Sequence, residues 1–180
     1  MSRDNLTEIF GSRSSDDHIA LDRPVDECVL AIDKIDEWGA AFILSIDESG
    51  AWSADCLRAQ RRRDGRWLEM GVSGSHGSGW PIPWSPPPYE WNRGEPLLVL
   101  ASGGQNVDTG TAQDQMFQAV VGFADPSLER IRIAQGRLER QIQVPSEARA
   151  FVVMSVGVGR IELQAFDSTQ RKVGPARQIS

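Results

Sequence analysis

Residues 116–165 read MFQAVVGFADPSLERIRIAQGRLERQIQVPSEARAFVVMSVGVGRIELQA, and their patterning decides the fold class. Ile131 and Ile133 alternate with Arg130 and Arg132. Leu138, Ile142 and Val144 alternate with charged or polar neighbours, and Ile161, Leu163 and Ala165 with Glu162 and Gln164. A period of two places one set of side chains on each face of a strand. Residues 116–123 form a further strand, and residues 151–156 are a continuous apolar run, as in a strand covered on both faces. Turn signals separate these runs at Asp125 and Pro126, Gln135 and Gly136, Pro145 and Ser146, Gly157 to Gly159, and Asp167 and Ser168. Strands at this spacing, with too few helical patterns between them for a parallel sheet, predict an antiparallel β-sandwich, immunoglobulin-like or jelly-roll-like.

Working outward, residues 97–101 are a short strand, followed by a polar, glycine-rich loop over residues 102–112. Residues 52–62 and 67–72 flank Asp64 and Gly65, a strong hairpin signal because the turn must accept positive φ. Residues 40–46 are short and apolar and end in the turn cluster of residues 47–50. Over residues 24–38 the spacing predicts a helix. Val25, Cys28, Val29, Ile32 and Ile35 form one stripe, Pro24 suits the first helical position, and Gly39 suits the stop. Residues 1–20 read as a flexible tail with Ile9 and Phe10 as its only anchor, leaving residues 21–180 as one mainly β domain with a single N-terminal helix.

The stretches VVGFADP, RIRI, RQIQVP, FVVMSV and IELQAFDS, from about Val120 to Val173, resemble in layout the strand runs of immunoglobulin-like sandwiches. The whole chain is similar to uncharacterised bacterial β-sandwich proteins. That third of the chain contains no Cys or Trp, so the Cys…Trp…Cys arrangement of immunoglobulin domains is absent from it. The resemblance implies a fold and no activity.

Composition narrows the function classes. A 40% hydrophobic and 24% charged chain of 180 residues can bury a core without disulfide or metal. A net charge of −6 disfavours general attraction to nucleic acid. Seventeen of nineteen basic residues are Arg, which reads as codon bias before it reads as anion recognition. The polar N-terminus lacks an apolar signal segment and no run approaches a membrane span, so the chain reads as cytoplasmic. Cys28 and Cys56 read as buried thiols, and spacing does not settle whether they pair.

Residues 73–96, SGSHGSGWPIPWSPPPYEWNRGEP, are the leading candidate site. Trp80, Trp84, Tyr89 and Trp91 sit among prolines that stiffen the backbone, giving aromatic contact area at low entropic cost. The leading reading is a non-enzymatic binding or protein-interaction module centred there, with His76 included and self-association into a homo-oligomer open; the partner is a protein or a small molecule. The structural alternative is that the loop plugs a sheet edge. A second functional reading takes the Ser75, His76, Gly77 and Ser78 segment as a small-molecule or hydrolase loop, its His-Gly-Ser-Gly string resembling the oxyanion segment of lipase-like hydrolases. The Gly-x-Ser-x-Gly elbow of that family is missing, and the only other histidine, His18, precedes every candidate nucleophile.

A third reading is an anion contact by Arg61, Arg62 and Arg63, with Arg58 and Arg66, around the Asp64 hairpin; a merely solvated hairpin is its alternative. No zinc spacing is present, carboxylate-bound calcium at Asp47 and Glu48 or at Asp125 is left open, and no cofactor motif occurs. Gly157 to Glu162 lacks the third glycine of a dinucleotide fingerprint and reads as a hairpin turn.

Overall fold

The computed structural model describes residues 4–12, 27–78, 95–110, 114–144 and 149–179. They form one helix, α1 (Asp4–Ser12), and eleven strands: β1 (Glu27–Ile35), β2 (Trp38–Ile46), β3 (Ala51–Arg61), β4 (Trp67–Ser78), β5 (Leu97–Val107), β6 (Gln115–Ala124), β7 (Leu128–Gln135), β8 (Leu138–Gln143), β9 (Ala150–Gly157), β10 (Glu162–Asp167) and β11 (Lys172–Gln178). The fold is mainly β with one short N-terminal helix.

Three antiparallel sheets stack on one another. The first has the order β1-β2-β3-β4, the second β5-β6-β9 and the third β11-β10-β7-β8. The second is the middle layer. Phe117, Ala119, Val121 and Phe123 of β6 pack against Phe42, Leu44, Ala54 and Cys56 of the first sheet. Val120, Phe151 and Val153 turn the other way, onto Ile131, Ile133, Leu163 and Ala165 of the third. The unbroken apolar run in β9 follows from this placement, since both its faces are covered.

The first sheet is covered on its outer face by α1. Leu6, Ile9 and Phe10, spaced three and four apart, form one apolar stripe on Ile32, Ala41, Ile43, Leu57 and Ala59. Phe10 stacks on Trp67 with ring centroids 4.8 Å apart. Lys34 Nζ donates to the Phe10 carbonyl at 3.1 Å, placing a cation at the negative end of the helix. Residues 4–12 are therefore an anchored helix and not part of a flexible tail.

The helix expected over residues 24–38 is also corrected, because residues 27–35 are β1, paired antiparallel with β2. A β-bulge between Val29 and Ala31 breaks the period of two. Leu30 and Ala31 both join the inner core, while Val29 and Ile32 face α1 at a spacing of three that mimics a helix. Gly39, taken as a helix stop, pairs with Lys34 in β2. A Cβ there would lie 2.9 Å from the Phe10 ring, so glycine at this point permits the close approach of α1.

Two further boundaries move. β4 continues to Ser78 and β5 to Val107, into segments whose glycine content suggests loops. β11 carries Gly174 and Pro175 at a sheet edge, where proline is tolerated. The segment from Gly157 to Ile161 carries the chain from the middle sheet to the third, so it is an inter-sheet connection and not a hairpin turn.

Candidate functional site

Trp80, Trp84, Tyr89 and Trp91 lie outside the described residues. The first part of their segment does not: residues 73–78 are the end of β4, paired with β3 from Ala51 to Cys56. The expected Ser75–Ser78 loop is thus corrected to strand. Glycine is accommodated in it because β3 side chains lie over the backbone, and a Cβ at Gly77 would be 2.8 Å from the Trp52 ring. Exposure alternates along the strand, with Ser73, Ser75 and Gly77 partly buried and Gly74, His76 and Ser78 exposed. Ser75 and His76 therefore point to opposite faces of the sheet. A nucleophile and its base must share hydrogen-bond reach, and adjacent strand residues do not.

The arginine cluster divides. Arg62 N–H donates to the Arg66 carbonyl at 2.8 Å, and Gly65, at φ 83°, closes the hairpin. Arg61, Arg62 and Arg63 line an open groove of about 820 Å³, but they share it with Asp36, Glu37 and Asp64. Asp64 is held in its charged form by hydrogen bonds from Arg66, which keep its carboxyl below the ordinary value. The groove is a mixed-charge surface that answers much of its own positive field. Arg58 is not at the hairpin tip; it is only 8% exposed and points inward.

A more enclosed cavity, about 390 Å³, opens where the three sheets meet. Ile35 and Trp38 flank the β1–β2 turn on one side; Ile133 and Leu138, from the β7–β8 hairpin, form another wall; Val156 of β9 completes the apolar lining. Asp36, Glu37, Thr109, Gln115, Glu139, Arg140 and Ser155 supply its polar groups. Trp38 is fixed from behind by Phe117, with ring centroids 5.2 Å apart. Leu138 is 53% exposed at the mouth, and Val158, 46% exposed, packs beside the same hairpin at Gly136. Asp36 and Glu37 border both this cavity and the arginine groove.

One wall is held by a polar clasp. Asp33 of β1, 5% exposed, accepts from Arg140 Nη1 of β8 at 3.1 Å, from Arg140 Nη2, and from the Met154 N–H of β9 at 2.9 Å. Arg140 Nε and Nη2 also donate to the Met154 carbonyl, at 3.1 and 2.8 Å. Burial pushes the Arg140 guanidinium down to about 10, which leaves it charged at neutral pH. This clasp ties the three sheets together and consumes the Arg140 donors, so the cavity beside it offers a ligand mostly apolar surface.

Elsewhere the chemistry is local. Asp47 Oδ1 accepts from Ser49 N–H, Ser49 hydroxyl and Ala51 N–H; Asp125 and Asp167 make the same type of turn with Ser127 and Thr169. These carboxylates are engaged by their own turns. Among the described residues no three His, Cys, Asp or Glu side chains converge as a metal would need. No disulfide joins Cys28 to Cys56, and burial pushes the Cys56 thiol up to about 12, which keeps it protonated and unreactive. No helix among the described residues is long and apolar enough to cross a membrane.

Sequence reasoning missed Asp33, Arg140 and the cavity walls. A signal existed for Asp33, a carboxylate inside the apolar run CVLAIDKI. None existed for the cavity, whose walls come from six strands and two connections. No protein-family model, no curated protein and no solved structure matches the chain, so a functional reading rests on this geometry.

Proposed function

We propose that the chain is a non-enzymatic binding module that takes a small, uncharged and largely apolar ligand in the cavity between its three sheets. The observation that carries this reading is the cavity itself. Its volume, about 390 Å³, falls in the range of ligand pockets, which run from about 300 to 1,000 Å³. Ile35, Trp38, Ile133, Leu138 and Val156 give it a continuous apolar component, the polar side chains among them can orient a ligand, and an exposed leucine marks its mouth. The clasp that would otherwise attract an anion is internally paired.

The test is titration with Nile red, a neutral apolar dye, on the full chain and on Leu138→Asn. The expected result is saturable fluorescence enhancement that weakens at least fivefold in the variant, with an unchanged melting temperature because Leu138 is half exposed. Equal enhancement in both proteins, or enhancement that never saturates, refutes the reading.

A second reading keeps the Trp/Pro-rich connection as a surface for self-association. In its favour, the residues that flank it, Ser78 and Glu95, are both exposed, and rigid aromatics are enriched at interfaces. Sedimentation equilibrium of Trp80→Ala with Trp84→Ala tests it: the reading requires an oligomer in the parent chain that dissociates in the variant.

A further inference from the structure

β4 and β5 are edge strands of two different sheets that run beside each other without a ladder between them. Arg58 of β3 lies buried under this seam. Its side chain meets two glycines: a Cβ at Gly71, which has φ 149°, would be 3.0 Å from Nη2, and a Cβ at Gly103 of β5 would be 2.9 Å from Cζ. Glycine at both positions lets the guanidinium, and at Gly103 the Ser73 hydroxyl, lie close against the backbone.

Among the described residues, Arg58 Nε and Nη1 and the Ser75 hydroxyl oxygen are buried with no hydrogen-bond partner, and the Ser73 hydroxyl oxygen, also buried, lies beside the Cys56 thiol. Ser73 stands opposite Cys56 on β3, Ser75 opposite Ala54, and Gly71 opposite Arg58, so all these groups share the inward face. Among the described residues no carboxylate pairs with Arg58. A guanidinium cannot shed its charge by deprotonation at any physiological pH. Buried polar groups are nearly always satisfied, and a buried charge left unpaired is strongly unfavourable. Four donor-capable groups on one face, with a fixed positive charge among them, describe the complement of an oxyanion.

We propose that the Arg58, Ser73 and Ser75 cluster under the β4–β5 seam is a binding site for an oxyanion, a carboxylate or phosphate group borne by a small ligand. The oxyanion accepts from Arg58 Nε and Nη1 and from the two hydroxyls. Access is through the seam, which can part without breaking a backbone ladder. The site is separate from the apolar cavity, and neither depends on the other.

The test is thermal shift of the full chain in sodium phosphate and in sodium acetate against sodium chloride at equal ionic strength, with the parent chain, Arg58→Met, and Ser73→Ala combined with Ser75→Ala. A ligand that binds only the folded state raises the melting temperature by mass action. The expected result is a saturable rise with at least one oxyanion in the parent chain, none in Arg58→Met, and a Kd weakened about tenfold in the double serine variant, the scale of lost charge-assisted hydrogen bonds. A response to phosphate alone assigns a tetrahedral group, and a response to acetate assigns a carboxylate. Equal shifts in parent and serine variant, or no shift beyond chloride in the parent, overturn the proposal. The serine variant decides the matter even if Arg58→Met does not fold.

Discussion

Replacing Asp33 with Ala removes a carboxylate that touches β1, β8 and β9 together. The substitution leaves two buried groups without their acceptor, the Arg140 guanidinium and the Met154 N–H. Breaking a buried ion pair from one side costs about 3–5 kcal/mol. Arg140 keeps 29% side-chain exposure and its bonds to the Met154 carbonyl, so part of its charge is rehydrated and the lower end applies, about 3 kcal/mol. For a chain of this length each kcal/mol lowers Tm by about 2–4 °C, so the loss is about 6–12 °C. Urea unfolding should show a lower midpoint with an unchanged slope, because the surface exposed on unfolding is the same. The cause is separated from simple loss of packing by a double-mutant cycle. Asp33→Leu combined with Arg140→Met replaces the pair with apolar groups and should lie closer to the parent than either single variant. A single-variant loss below about 1 kcal/mol, or singles that simply add in the double, would refute the assignment of Asp33 as the tie between the sheets.

Phe10→Ala should destabilise the chain by about 3–5 kcal/mol, since the ring is 2% exposed against Trp67 and Gly39; chemical denaturation checks this, and a neutral result would return residues 4–12 to a free tail. Gln135→Glu should cost stability at neutral pH, because Gln135 Nε2 donates to the carbonyls of Met116, Gly157 and Gly159 and a carboxylate oxygen there would face them; thermal melts at pH 4 and pH 8 should show the deficit growing as the new group ionises. Cys56 should resist thiol reagents in the native state. Its folded value of about 12 exceeds the ordinary thiol value of 9.0, so the folded state holds the proton longer; its contribution is complete below pH 9 and lost as pH rises toward 12. Above pH 9 the parent should therefore lose stability faster than Cys56→Ala by about 1.4 kcal/mol per pH unit, read from urea midpoints.

The sheet-rich half of the fold was legible because its strands alternate or are wholly apolar, and each pattern has one cause. Ile131 and Ile133 alternate because β7 has one covered face; the run from Phe151 does not, because β9 lies in the middle layer. The failures have causes too. The bulge at Leu30 hid β1 behind a helical spacing, and no pattern could show that a strand is covered by a helix on one side and a sheet on the other. Glycine-rich strands read as loops because their stability comes from neighbouring side chains, as Trp52 over Gly77, and not from their own. The cavity was invisible because Trp38, Leu138 and Val156 each look like ordinary strand residues until topology assembles them.

The alternation of β4 bears on function as well as on fold. The string Gly74-Ser75-His76-Gly77-Ser78 invites a catalytic reading only while it is imagined as a loop, where neighbouring side chains can turn toward one substrate. Paired along its length with β3, the segment obeys a period of two, and that period separates the chemistry it carries. His76 goes to solvent, while Ser73 and Ser75 go inward, beside a guanidinium. A serine next to a histidine can be a nucleophile; a serine next to an arginine that no carboxylate among the described residues pairs, with its hydroxyl unsatisfied, is a hydrogen-bond donor open to an acceptor. Of the residues that suggested hydrolysis in the sequence, only Ser75 faces the guanidinium, and with Ser73 and Arg58 it argues, once the faces are assigned, for recognition of an anion.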